Sequence, residues 1–115
     1  MTDKKNLWDS YAACWSAEPC SRAEGLAQTV SAEVAYRDPT TEISGRDELA
    51  AYMTGFTEMF PGHRFRIDEV LTHHDRSLAR WTQVGADGET FMAGVSTARH
   101  HEGLLADVTG FFLPA

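Results

Sequence analysis

Cysteine is scarce: the 115 residues contain two, Cys14 and Cys20. That excludes a disulfide-stapled scaffold, and two thiols alone do not hold zinc. Both are expected to be reduced thiols of a cytoplasmic protein. Long apolar runs are missing too. None approaches the length of a membrane span, and Met1-Thr2-Asp3-Lys4-Lys5 leads into an amphipathic segment, not a signal-type apolar block. Positive charge is in the minority, with 10 Lys and Arg against 17 Asp and Glu, for a formal net charge of −7. A duplex binder needs a basic footprint, yet Arg64, Arg66, Arg76 and Arg80 are scattered along strand-like segments. Neither nucleic acid nor an anionic membrane surface is an expected partner. There is no internal repeat, low-complexity tract, linker or nucleotide-binding glycine fingerprint, so one domain over residues 1–115 is expected.

What the chain does have is apolar material. Hydrophobic residues make up 43%, with three Trp, three Tyr and six Phe, enough for a core with rings to spare for a cavity. Leu7, Tyr11, Cys14 and Trp15 fall at i, i+4, i+7 and i+8, one stripe of a helix that Pro19 is expected to end. Ser21 and Glu24 have the spacing of a capping box for a second helix, with Leu26, Ala27 and Val30 as its buried stripe. Val34–Asp38 reads as a short strand halted by Pro39. Ser44 is expected to cap a third helix carrying Leu49, Tyr52, Met53, Phe56 and Phe60, which Pro61-Gly62 stops.

From His63 the period changes to two. Turn signals at His74-Asp75-Arg76, Asp87-Gly88 and Glu102-Gly103 divide the rest into strands near 64–72, 77–85, 90–100 and 104–113. Helices followed by a meander predict an α+β fold, with helices covering one face of a curved antiparallel sheet. Arg64, Arg66, Asp68, Arg80, Gln83 and Thr97 are assigned to its wet face. Gly94, Ser96 and Ala98 keep one face of their strand thin, which suits a close-packed helix or a cavity. The pairs His73-His74 and His100-His101 abut turns and are expected to be solvated histidines, not a metal site. Asp107 reads as a surface charge, or as a second pocket acid if the register slips by one.

Tyr36-Arg37-Asp38-Pro39 and Gly45-Arg46-Asp47-Glu48-Leu49-Ala50-Ala51-Tyr52 carry a resemblance. The sequence resembles the ketosteroid isomerase and SnoaL-like polyketide cyclase branch of the nuclear transport factor 2 superfamily. That resemblance implies a cone-shaped fold enclosing an apolar pocket. It places Asp38 where those isomerases have their general base, and Tyr11 where they have an oxyanion-hole tyrosine. Their protonated acid on the next-to-last strand has no counterpart, because Val95-Ser96-Thr97 stands there and Ser96 is the nearest polar side chain. Trp81, Met92, Val108, Gly110 and Phe112 match cavity-facing positions, and Trp15, Tyr36 and Phe56 complete the expected substrate-binding set. The implied partners are a small hydrophobic molecule and a second copy of the chain, as a homodimer. No cofactor is required for proton transfer.

Such a carboxylate has a plain role. Desolvation raises its proton affinity, a carbonyl compound loses an acidic C–H to it, and a donor in a dry site receives the developing oxyanion. That division of roles in ketosteroid isomerase is itself a standard worked case. Each residue also has a simpler assignment. An Asp before Pro ordinarily forms a turn by capping a backbone N–H, and a Tyr on an apolar stripe ordinarily packs in the core. The sequence therefore supports a general acid/base enzyme of isomerase, cyclase or dehydratase type, or else a non-catalytic ligand-binding protein or dimeric interaction domain.

Overall fold

The first helix, α1 (Lys4–Cys14), starts where the carboxylate of Asp3 accepts the Lys5 N–H at 3.0 Å. The computed structural model describes residues 3–114. The second helix, α2 (Pro19–Thr29), begins two residues before the expected cap. Pro19 sits in its first turn, where a missing N–H costs nothing and the fixed φ suits a helix, so Ser21 lies inside the helix and not at its cap. Buried Arg22 then ties the three helices together. Its guanidinium donates to the carbonyl of Cys14 (2.9 Å), the last residue of α1, and to that of Ala17 (2.6 Å) just beyond it. It also donates to the hydroxyls of Thr54 (2.7 Å) and Thr57 (3.0 Å) on α3 (Arg46–Met59). Arg46 does the same for α2, donating to Val30 O at 2.6 Å and Ala27 O at 3.3 Å. Carbonyls at a helix C-terminus favour a cation, so both arginines act as side-chain caps.

α2 runs directly into β1 (Val30–Asp38), which starts four residues earlier than its apolar pattern suggested. A two-residue turn at Pro39-Thr40 leads to β2 (Thr41–Ser44), a strand too short to show a pattern of its own. Ser44 ends that strand and does not cap α3. The cap is Gly45 at φ 87°, a conformation that glycine adopts freely, and Glu48 reaches back to the Ser44 N–H at 3.0 Å. Then come β3 (Arg64–His73), β4 (Arg76–Val84), β5 (Thr90–His101) and β6 (Leu104–Phe112), close to the expected bounds.

The sheet order is β2-β1-β6-β5-β4-β3. It is mixed, not antiparallel throughout, because β1 pairs with β6 in parallel. Between those strands the chain passes through α3 and the whole meander, and so long a connection permits a parallel pair. Register shifts occur near residues 68, 91 and 106 and in β1, and each adds local twist and bend. They also reset which side chains face inward: Ile67 and Val70, like Leu105 and Val108, share the helix-facing side although three residues apart. The curved sheet wraps a core of Trp8, Leu26, Val34, Leu49, Met53 and Leu105. Gln83 departs from its expected wet position, because strict alternation with Trp81 puts it inside, 3% exposed. Among the described residues, no helix is long and apolar enough to cross a membrane.

Candidate active site

The core is filled at one end of the cone and hollow at the other. The hollow has a volume of about 580 Å³, within the range of small-molecule pockets, and its walls are overwhelmingly apolar. Trp15, from the end of α1, is its hub. The indole meets Tyr36, Tyr52, Phe56 and Phe65 at ring-centroid distances of 5.5–5.8 Å, tilted or edge-on, the preferred arrangement of aromatic quadrupoles.

Asp38 enters the cavity from the end of β1. The expected bare desolvation does not describe its surroundings, because its carboxylate meets three hydroxyls and an amide. Oδ2 accepts from Tyr36 at 2.6 Å and from Tyr52 at 2.9 Å, while Oδ1 accepts from the Thr40 backbone N–H at 2.8 Å and the Thr40 hydroxyl at 2.9 Å. A carboxylate offers about four acceptor sites, so all are engaged. The turn-forming assignment thus holds at Oδ1, while the pocket side belongs to the tyrosines. Burial pushes the Tyr36 hydroxyl well above its ordinary pKa, with the nearby phenol of Tyr11 and the charge of Asp38 adding to it. Burial likewise raises Tyr52. Both phenols are therefore donors at neutral pH. Thr40 Oγ1 and Tyr52 OH lie 2.6 Å apart, so either gives the other an alternative partner to Asp38.

Tyr11 is a wall of the same cavity, and burial first, with the Asp38 charge among the lesser contributions, keeps its hydroxyl protonated. That hydroxyl oxygen is the one buried side-chain polar atom among the described residues without a hydrogen-bond partner. A buried orphan of this kind is rare and needs an explanation.

On the sheet side, Gly110 separates Asp38 from Ser96. Ser96 pairs with Gly110, and a Cβ added to Gly110 would lie 3.3 Å from Ser96 Oγ and 3.6 Å from Asp38 Cβ. The bare glycine leaves the floor open between the two. Ser96 Oγ accepts from Trp81 Nε1 at 3.0 Å, which leaves its own proton to donate. Gly94 is thin for a packing reason, because the indole of Trp81 lies across it.

Of the expected wall residues, Trp15, Tyr36 and Phe56 line the helix side, and Trp81, Met92, Ser96 and Phe112 line the sheet side. Phe112 is at the rim, 43% exposed. Val108 is not a wall: at 1% exposure it lies in the packed core beneath the cavity, on the same strand face as Gly110 and Phe112 but farther from the rim. Asp107 faces outward, and Arg37 Nη1 donates to it at 2.8 Å. His100 differs from its expected solvated position. It is half-buried, and its Nε2 lies 2.6 Å from Ser77 Oγ, which accepts from Trp8 Nε1 at 2.9 Å. Among the described residues, no three His, Cys, Asp or Glu side chains converge as metal ligands.

Three polar members of the cavity were not singled out by the sequence. Thr40 follows Asp38 by two, the spacing of an Asx turn. Tyr52 stands one turn before Phe56 on the same face, a phenol in a stripe otherwise aliphatic or phenyl. Gln83 shares a strand face with Trp81.

A family model described as SnoaL-like domain matches residues 9–108. No curated protein matches the sequence. Among solved structures, a candidate isomerase of the SnoaL-like family from Agrobacterium tumefaciens superposes with a TM-score of 0.90 at 24% identity, over 99% of this chain and 100% of its own. A candidate ketosteroid isomerase from Kribbella flavida gives 0.73 at 20% identity, over 96% of this chain and 77% of that one. A candidate polyketide cyclase from Sinorhizobium meliloti gives 0.74 at 14% identity, over 91% and 93%. At these identities the superpositions establish a shared fold and no more.

Proposed function

The chain belongs to the SnoaL-like domain family, and on that premise we propose that it is a cofactor-independent general acid/base enzyme acting on a small hydrophobic carbonyl compound. Asp38 is the base, Tyr11 the oxyanion donor, and Ser96 a second donor. The observation that carries this reading is the pairing, in one apolar cavity, of a carboxylate with a buried phenol that has a proton and nothing to give it to.

Proton abstraction needs a free lone pair on Asp38. Tyr52 can supply it by turning its hydroxyl from Oδ2 to Thr40 Oγ1, 2.6 Å away. Tyr36, with no alternative partner, stays and fixes the carboxylate plane. The substrate C–H then delivers its proton to Oδ2, and the carbonyl oxygen gains negative charge beside hydroxyl donors in a water-poor site, where such donors are worth most.

A second reading has one observation in its favour: the full set of donors around Asp38 also suits a ligand-binding protein that performs no chemistry. The two are separated by hydrogen–deuterium exchange at the carbon beside the carbonyl of 4-phenylcyclohexanone in D₂O, followed by NMR. The enzyme reading expects protein-dependent exchange that Asp38→Asn slows by roughly 10²–10⁴ while binding persists. Exchange unchanged in that variant removes Asp38 from the chemistry, and binding without exchange in the natural protein selects the second reading.

A further inference from the structure

At the end of the cavity away from Asp38, one polar side chain is committed on one side only. Gln83 on β4 is 3% exposed, lines the cavity, and makes a single side-chain hydrogen bond, from Nε2 to His63 Nδ1 at 2.9 Å. His63 is held between the rings of Phe60 and Phe91, each 5.1 Å from its own, and its backbone N–H donates to Phe60 O at 3.1 Å. With Nδ1 as acceptor, the amide nitrogen is drawn to the histidine and the carbonyl oxygen is left for the cavity. An amide carbonyl in apolar surroundings is costly unless something donates to it.

The registers fix where this acceptor stands. Asp38 lies beside Gly110, opposite Ser96, which pairs with Ala79. Gln83 is thus three strands across and four residues along, a diagonal of about 19 Å if the sheet were flat. Curvature and the reach of both side chains bring their polar atoms closer than that.

We propose that Gln83, oriented by His63, selects ligands that carry a hydrogen-bond donor, a hydroxyl or N–H, at the end remote from the carbonyl. The ligand class is an elongated hydrophobic ketone with a distal hydroxyl. Only the ligand's direction rests on the reading of Asp38 as the reacting group. The selectivity itself is an equilibrium property and needs no turnover.

Three probes of one shape test it by calorimetric titration: 4-phenylcyclohexanone, its 4-hydroxyphenyl analogue and its 4-methoxyphenyl analogue. The natural protein is expected to bind the phenol about tenfold more tightly than the parent ketone, the worth of one buried hydrogen bond, and the methyl ether no better than the parent. Gln83→Met should erase the preference, bringing the ratio of phenol to parent affinity to about one. His63→Phe, which cannot accept from the amide, should lower the same ratio. Equal affinity for phenol and parent, a preference for the methyl ether, or a phenol preference that survives Gln83→Met would each overturn the proposal. The comparison within the natural protein stands even if a variant fails to fold. Selective binding without proton exchange would sink only the enzymatic reading, equal binding with exchange would sink only the role of Gln83, and absence of binding by all three would sink both.

Discussion

Replacing Tyr11 with Phe deletes one oxygen, and the structure predicts opposite signs for its effects on stability and chemistry. The Tyr11 hydroxyl is enclosed and has no protein partner, so folding strips it of water without repayment. Leaving such a group unpaired costs about 1–3 kcal/mol, and its removal should return that amount. For a chain of this length the melting temperature should rise by about 3–6 °C per kcal/mol. The control is Tyr36→Phe, which also deletes one phenol oxygen but breaks a 2.6 Å bond to the Asp38 carboxylate. A hydrogen bond to a charged acceptor is worth about 1.5–3 kcal/mol, so this variant should be destabilised by that much. Scanning calorimetry and urea titration on both variants give the two signs directly. If Tyr11 is the oxyanion donor, the more stable Tyr11→Phe protein should also lose roughly 10²–10³ in proton-exchange rate. A Tyr11→Phe protein that is less stable than the natural one by more than about 0.5 kcal/mol would refute the reasoning, because the hydroxyl would then have a partner in the folded state.

Gly94→Ala should lower stability by about 1–3 kcal/mol in urea titration, since the new Cβ would meet both the Trp81 indole and the Phe111 carbonyl oxygen; a loss under about 0.5 kcal/mol would show that the indole does not lie there. Arg22→Leu strands two carbonyls and two threonine hydroxyls between the helices, so it should cost about 2–4 kcal/mol by the same titration, and a neutral result would deny the buried network. His100 is held below its ordinary pKa of 6.5, by burial first and by Lys4 second, with Asp75 opposing. Below pH 6.5 the unfolded chain therefore takes up this proton before the folded one, and stability falls as pH drops from about 6.5 toward the lowered native value. Urea titrations at pH 7.0 and pH 5.5 should show a smaller drop for His100→Gln, which keeps a partner for Ser77; an equal drop in both proteins would remove His100 from the linkage.

The meander was legible because its signals are local. Alternation from Phe65 to Asp68 and the turns at Asp87-Gly88 and Glu102-Gly103 fix strands to within a residue or two, and Glu102 and Gly103 both take the positive φ of a tight hairpin. Both helix starts were misplaced for one reason: a capping sequence is permissive, and Pro19 and Gly45 impose backbone conformations that override it. The parallel pairing of β1 with β6 leaves no mark on either strand's pattern, because it is decided by how the sheet closes around the helices. Val108 illustrates the limit of alternation, which gives it the face of Gly110 and Phe112 but not the depth at which the hollow closes and the packed core begins.

The same distinction separates what could be known of the site from what could not. Asp38 and Tyr11 were nameable only through the family resemblance, because by themselves a carboxylate before proline and a phenol on an apolar stripe are ordinary turn and core residues. The rest of the polar apparatus consists of residue types that are ordinary everywhere, and their meaning comes from contact. Thr40 and Tyr52 matter because they offer each other a partner 2.6 Å away, which lets one of them leave the carboxylate. The cavity therefore does more than desolvate an acid. It surrounds Asp38 with donors, one of which has somewhere else to go, while a buried phenol nearby has no acceptor until a substrate brings one. An unsatisfied buried donor is unfavourable to keep, whereas the donors around Asp38 stabilise its charge and lower its proton affinity. On the proposed reading, a carbonyl compound with an acidic C–H would give Tyr11 its missing acceptor, and Tyr52 would leave Oδ2 for Thr40 as the proton arrives. That pairing of an unpartnered donor with a base able to shed one of its own donors, more than any one residue, is the physical argument for proton transfer in this fold.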